Sequence, residues 1–433
     1  MVTWIPPIHR WPKVWQNASW MMLGNGLRLA ISACYFIGLA RFLGPDDFGL
    51  FSGILACGVL ASPFACLGQP DLLTQHLSRD PQDSQGLWAK GLAIAAVAGL
   101  ILALLLWMPL MVWLPEADPG AVGLLILAEV WLTSLQHVQK GALTGLERIP
   151  AVAVIDTGMA AGRLGILLLA WLCNRQGLLL WSGLYAAMTA VAVLLTAAWI
   201  RSLRDEQKAV GLTFSGEIPP LFEQWWHQIK VGWEFAVGMI AIRTFAELDK
   251  LLLPRLASAA QGGIYSAAYR VINIAQTPVI ALITSSFADI CRAGESGIRS
   301  AWNHCHRLCA ITVVYGCGVT GILMLGSRLL PWILGPEYGE TAVALRWLAA
   351  VAGLEGIHLL LSVVLLGARQ QRTRGYWQVA AVGLNGLLNV MWIPELGWRG
   401  AALATLTAEI FLVLALAGLI LIGCRQEDTT SDV

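Results

Sequence analysis

The sequence predicts an all-α integral membrane protein whose twelve transmembrane helices form two six-helix lobes related by a parallel repeat. Three observations lead there. Of the 433 residues, 57% are hydrophobic and only 13% charged, with mean hydropathy +0.67. A soluble domain carries about 25% charged residues to cover its surface. Apolar stretches of about 20 residues, enough for a helix to cross about 30 Å of hydrocarbon, recur along the whole chain. Finally, the second half of the chain echoes the first.

The apolar stretches fall at about 17–40, 48–70, 88–112, 119–142, 150–173, 178–200, 231–253, 262–289, 302–325, 340–366, 376–393 and 400–423. Cytoplasmic loops carry an excess of Lys and Arg. With the N-terminus inside, the inner loops hold most of the basic residues, Lys90, Lys140, Arg148, Arg201, Arg204, Arg369 and Arg372 among them. The outer loops hold only Arg41, Arg175, Arg255, Arg328 and Arg399. Both termini are therefore expected in the cytoplasm. The N-terminal MVTWIPPIHRWPKVW lacks the pattern of a removable signal peptide.

The expected domains are an N-terminal lobe over 1–200, a cytoplasmic linker over 201–230, a C-terminal lobe over 231–425 and a cytoplasmic tail over 426–433. The linker turns from RSLRDEQK to IPPLFEQWWHQIK. Pro219 and Pro220 can open a short interfacial helix, with Phe222, Trp225 and Trp226 in the headgroup layer beside Lys230. The plainer reading is a linker with an aromatic anchor.

A single fixed shift lays RFLGPDDFGLFS (41–52) on RLASAAQGGIYS (255–266). Arg41 falls on Arg255, Gly49 on Gly263, Leu50 on Ile264, Phe51 on Tyr265 and Ser52 on Ser266. Each stretch joins the first two helices of a lobe. An even number of spans per half gives both halves the same orientation, the mark of a parallel repeat. Folds of this kind place the substrate between the lobes and work by rocking.

Composition excludes some functions. A net charge of +1 offers no field for nucleic acid. Cys34, Cys57, Cys66, Cys173 and Cys317 lie inside apolar runs, so no disulfide framework is expected. No glycine-rich phosphate loop follows a strand, and neither a large outer loop nor a reactive cluster suggests an enzyme, so no catalytic residues are expected. HCHRLC (304–309) has the residue types of a metal site, but no second cluster completes one, so no metal site is expected.

Charged residues inside the membrane are costly and mark cavities or partners. Arg28 and Arg243 lie 11 to 12 residues into corresponding spans, roughly 17 Å deep at 1.5 Å per residue. Arg163 and Arg270 are also within spans, as are the acids Glu129, Asp156, Glu247, Asp249, Glu355 and Glu409. Glu247 stands one turn from Arg243 and can pair with it. His358, three residues from Glu355, is a proton relay or, preferably, half of a satisfied polar pair. The arginines either lock helices together through ion pairs or line a cavity for an anionic group, a task that suits the forked guanidinium.

Five stretches together resemble the polysaccharide flippases of the multidrug/oligosaccharidyl-lipid/polysaccharide (MOP) superfamily. They are LARFLGPDDFGLFS (39–52), GALTGLERIP (141–150), ELDKLLLPRLASAAQGGIYSAAYRV (247–271), LLPWILGPEYGETAVALRWLA (329–349) and PELGWRGAALATLTAE (394–409). Asp249, Gly263, Tyr265 and Arg270 stand on recurring positions of that family. One departure is the run after span 8, SSFADICRAGE, where the family often has a proline-containing turn.

The resemblance implies a MATE-like flippase in a bacterial cytoplasmic (inner) membrane. It would move undecaprenyl-pyrophosphate-linked oligosaccharides for O-antigen, capsule or exopolysaccharide synthesis, by alternating access of the two lobes around a cationic central cavity. Arg28 and Arg243 are then assigned to the anionic headgroup, with Arg270 as a third candidate. Glu247, Asp249, Asp156 and Glu355 are candidates for charge pairing or for coupling to H+ or Na+, and no other cofactor is implied. The implied partners are the lipid-linked oligosaccharide, membrane lipids, and a polysaccharide polymerase with its chain-length machinery. Two alternatives stand beside this: a cation-coupled multidrug exporter of the same superfamily, and a membrane-embedded glycan polymerase or acyltransferase.

Overall fold

The computed structural model describes residues 13–79, 84–173, 177–209 and 243–431. Every regular element among them is helical. In chain order these are α1 (Lys13–Cys66), α2 (Gln69–Arg79), α3 (Ser84–Trp113), α4 (Pro119–Ile126), α5 (Thr133–Gly145), α6 (Ile149–Leu172) and α7 (Leu178–Ala209). They continue with α8 (243–256), α9 (Ala259–Gly294), α10 (Ile298–Gly326), α11 (Leu330–Leu334), α12 (Thr341–Gly367), α13 (Gln371–Leu396) and α14 (Trp398–Ser431). A π-helical segment, Leu127–Leu132, joins α4 to α5. The backbone can satisfy its own polar groups in lipid only as helices or closed barrels, and apolar runs of about 20 residues suit the helical solution.

Ten helices among the described residues are long and apolar enough to cross a membrane. The first, Gly26–Cys66, covers most of the first two expected spans. It breaks at Gly44, whose φ of 73° and ψ of 172° leave the helical region. A side chain there would be strained, so the glycine of GPDD sets the turn. The span expected at 231–253 is described from residue 243 onward as α8, and its first half lies outside the described residues. So does the linker beyond residue 209, including the expected interfacial helix. α7 carries helix into the linker as far as Ala209, and α14 continues to Ser431 through most of the expected tail. α9 runs without a break through SSFADICRAG.

The chain forms two compact units. Unit 1 comprises 1–43 and 54–240, and unit 2 comprises 44–53 and 241–433. Residues 44–53 of α1, which include the turn at Gly44, thus belong to unit 2.

In unit 1, α2 is a short amphipathic helix that the hydropathy pattern does not reveal. It buries Leu72, Leu73 and Leu77. Leu73 and Leu77 join Val138, Ala142 and Leu143 of α5 in one apolar core. α5 allows this closeness because it has glycines on that face. A Cβ on Gly141 would lie 2.5 Å from the Pro70 carbonyl oxygen, and one on Gly145 would lie 2.8 Å from Leu77 Cβ. Thr74 Oγ1 donates to the Gly141 carbonyl at 3.0 Å. Asp118 caps α4, accepting from the Gly120 and Ala121 backbone N–H groups at 2.8 and 3.0 Å. α3 exposes Ile101, Leu104, Leu105, Met108 and Val112, an apolar face suited to lipid.

In unit 2, α12 is the central helix. Small residues bring its neighbours close, as membrane helix packing favours. A Cβ on Gly316 of α10 would lie 2.8 Å from the Gly353 Cα, and one on Gly294 of α9 would lie 2.4 Å from the Gly367 carbonyl carbon. Between these contacts Leu360, Leu361, Val364 and Leu365 pack against Val279, Ile283 and Ile290. The end of α14 reaches the start of α10. There the Glu427 carboxylate accepts from the Ile298 and Arg299 N–H groups at 2.8 and 3.0 Å.

Candidate functional site

Each unit contains a polar cluster inside its helices. In unit 2 the cluster begins on α8. Asp249 is 1% exposed. Its Oδ2 accepts from the Tyr265 hydroxyl and from Thr405 Oγ1 at 3.3 Å, and its Oδ1 accepts from the Lys250 N–H at 2.8 Å. α8, α9 and α14 thus meet at one carboxylate. Lys250 Nζ lies 3.0 Å from Glu247 Oε2 and 2.8 Å from the Ala246 carbonyl oxygen. It also sits 4.5 Å from the centroid of the Tyr269 ring, which stacks on Tyr265.

The other half of this cluster is centred on α12. Glu355 accepts from the Gln276 amide of α9. His358 Nδ1 lies 2.6 Å from Glu409 Oε2 of α14. Glu409 is 0% exposed, and its other oxygen has no hydrogen-bond partner among the described residues. Asn389 on α13 donates to Asn385 Oδ1 at 2.9 Å, leaving the Asn385 amide nitrogen and the Asn389 amide oxygen buried without partners. Four carboxylates, Glu247, Asp249, Glu355 and Glu409, thus share this cluster with Lys250 and His358. Burying uncompensated charge is expensive, and each of these carboxylates has a donor or a basic side chain beside it.

In unit 1 the cluster forms where the π-helical turn places Glu129. Such turns reorient a side chain by one extra residue and occur often at functional positions. Glu129 accepts from the Tyr185 hydroxyl of α7, and Arg163 Nη2 of α6 lies 3.9 Å from the same oxygen. The Arg163 Cζ sits 4.4 Å from the Tyr185 ring centroid. Trp181, fully buried, packs between Tyr35 and Tyr185. Lys140 and Asp156 make a second pair at 3.0 Å.

Two expected pairings are corrected. Glu247 pairs with Lys250 rather than Arg243, because Lys250 reaches back along the helix and also finds the Ala246 carbonyl. His358 pairs with Glu409 rather than Glu355, because α14 brings a carboxylate to its ring while Glu355 turns to Gln276 on α9. Arg28 is exposed on α1 of unit 1, and Arg243 and Arg270 are exposed on α8 and α9 of unit 2. Among the described residues none of the three arginines has an ion-pair partner. Asp156 lies in unit 1 with Lys140, while Asp249 and Glu355 lie in the unit 2 cluster. In the HCHRLC stretch, Cys305 is buried while His304 and His306 are exposed. No group of three or more His, Cys, Asp or Glu able to hold a metal ion occurs among the described residues.

Sequence reasoning missed Lys250, Gln276, Tyr185 and the partner of Glu409. Tyrosine and glutamine inside otherwise apolar helices were the available signal, since in lipid such groups seek a buried partner.

The fold matches solved transporters of low sequence identity. One is a multidrug resistance MATE family transporter of the MOP superfamily in its inward-facing conformation. It aligns with TM-score 0.71 and 14% identity over 94% of this chain and 96% of that one. Another is the lipid II flippase MurJ in an inward closed conformation, with TM-score 0.66 and 11% identity over 93% of this chain and 87% of that one. Among curated proteins none matches the chain in sequence. The model of the family described as "Polysaccharide biosynthesis protein" matches residues 14–287, well over half of the chain, and the chain belongs to that family.

Proposed function

We propose that this multi-pass membrane protein is a flippase that carries undecaprenyl-pyrophosphate-linked oligosaccharide units across a bacterial inner membrane by alternating access. Membership of the polysaccharide biosynthesis family supports the pathway. The observation that carries the substrate class is the set Arg28, Arg243 and Arg270. These are intramembrane cations that no carboxylate neutralises among the described residues. An arginine inside a membrane protein needs a counter-charge or water. A pyrophosphate supplies that charge, and guanidinium forks suit its oxygens. Both termini then lie in the cytoplasm, and the product feeds a polymerase on the outer face.

The acid-rich cluster of unit 2 supports coupling to H+ or Na+ at Asp249 and Glu355, with Glu247 paired to Lys250. The test is the double variant Arg28→Ala with Arg243→Ala, expressed at wild-type level in a strain lacking the native gene. Surface polysaccharide should fall at least tenfold. Wild-type output would remove these arginines from the mechanism. The same acid-rich cluster favours a second reading, a cation-coupled multidrug exporter. Efflux of cationic dyes from a pump-deficient strain, at a rate abolished by Asp249→Asn, would support that reading instead.

A further inference from the structure

Arg163 is an intramembrane arginine of unit 1 with a built surrounding. Its Nη2 stands 3.9 Å from Glu129 Oε1, long beside the 2.7–2.9 Å of a charge-assisted hydrogen bond. Its Nε is buried and has no hydrogen-bond partner among the described residues. The Tyr185 ring, 4.4 Å from Cζ, holds the guanidinium by a cation–π contact. About a quarter of the side chain, 24%, remains exposed. A guanidinium inside the membrane needs full compensation, and this one has only a long contact to Glu129 and a ring face.

The carboxylate, by contrast, is fixed. The Tyr185 hydroxyl donates to it. Its Cβ is also crowded by the α1 backbone, where a Cβ added to Gly58 would lie only 2.6 Å away. Glu129 cannot follow if Arg163 turns away, and Tyr185 keeps it partly satisfied when it does.

We propose that Arg163 is an anion-binding residue of unit 1, exchanging its loose contact with Glu129 for the oxygens of a phosphate or pyrophosphate group. Glu129 is the resting counter-ion, and Tyr185 is the positioning residue that holds it back. This rests on the flippase reading and adds a named residue to the headgroup path. The shared chemistry is a phosphoryl oxyanion, from a lipid headgroup or free in water.

The test uses the full-length protein in nanodiscs, titrated with farnesyl pyrophosphate, inorganic pyrophosphate and neutral farnesol, with thermophoresis as the readout. Wild type should prefer farnesyl pyrophosphate to farnesol. Arg163→Gln should weaken that binding by about tenfold or more, the scale of losing one charge-assisted pair of hydrogen bonds. Arg163→Lys should recover part of it, because the charge stays and the fork goes. Glu129→Gln should bind as tightly as wild type or more tightly, because it releases the arginine. A merely structural ion pair predicts the opposite, with Glu129→Gln and Arg163→Gln losing stability together and the folded fraction binding normally. If Arg163→Gln does not fold, Glu129→Gln alone decides, and weaker binding there overturns the proposal. Unchanged affinity in Arg163→Gln overturns it while leaving the flippase reading intact. Failure of wild type to bind either pyrophosphate overturns both. Equal binding of inorganic and farnesyl pyrophosphate, lost together in Arg163→Gln, supports the proposal and assigns the site to the oxyanion alone.

Discussion

Gly49 and Gly263, which coincide in the internal repeat, pack against one another in the folded chain. A Cβ on Gly49 would lie 1.8 Å from the Ala259 carbonyl oxygen and 2.7 Å from the Gly263 nitrogen. One on Gly263 would lie 2.0 Å from the Pro45 carbonyl oxygen. The obstacles are backbone, so no rotamer change can make room. Gly49→Ala and Gly263→Ala should each destabilise the protein by at least the ~1–3 kcal/mol typical of overpacking. Gly53→Ala meets the Pro254 ring at 3.0 Å and should cost less than either. Thermal unfolding in detergent, followed by size-exclusion recovery, ranks the three. Equal stability of Gly49→Ala and wild type would mean that this contact is not made.

The tie between the end of α14 and the start of α10 has a separate signature. Glu427 satisfies two N–H groups of a helix start that has no side-chain cap of its own, following Gly297 at φ 120°. Glu427→Ala should cost about 1 kcal/mol, the usual worth of an N-terminal cap, and Glu427→Gln somewhat less. Faster proteolysis in the 295–300 turn, with core stability nearly unchanged, is the expected readout.

His358 and Glu409 form a closely spaced buried pair. Removing one partner of such a pair strands the other charge, at a cost of ~3–5 kcal/mol in water-soluble proteins. His358→Ala should therefore lower thermal stability sharply. The double variant His358→Leu with Glu409→Met should regain much of that loss, because apolar groups of similar size need no partner. Additive losses in the double variant would show that the two side chains do not interact.

Span positions were largely legible because the hydrocarbon layer enforces length and composition together, and those are sequence properties. The break at Gly44 was legible from Gly-Pro-Asp-Asp for the same reason that turns are elsewhere: only certain residues adopt that backbone. The helix α2 was hidden by its polar residues, which lower hydropathy, while its three buried leucines meet a partner, α5, nearly seventy positions away. Pairings inside the membrane were the least legible part. Glu247 chose Lys250 over Arg243, and His358 chose Glu409 over Glu355, because side-chain reach decided the first and a distant helix the second. Sequence shows which charges lie in the membrane. It does not show which of several opposite charges tertiary packing will bring within 3 Å.

Asp249 separates charge from shape most cleanly. Its carboxylate takes hydrogen bonds from Tyr265 and Thr405 and lies 1% exposed. Asp249→Asn keeps the side-chain volume and one oxygen for the two hydroxyls, but its amide turns a donor toward the Lys250 N–H that Oδ1 accepts from, and it can neither ionise nor balance a cation. Stability should therefore fall by ~1–3 kcal/mol, the cost of a buried donor left without its acceptor. Transport should fall at least tenfold if the carboxylate carries the coupling ion. Tyr265→Phe makes the complementary test. It leaves the charge in place but removes a donor from a buried carboxylate, which should cost ~1–3 kcal/mol of stability. Together the two variants separate charge from fold: both are weakened to a similar degree, but Asp249→Asn is inactive while Tyr265→Phe is active at permissive temperature. If Asp249→Asn transports normally, the carboxylate is a structural hydrogen-bond hub and the coupling site lies elsewhere, with Glu355 the next carboxylate to substitute.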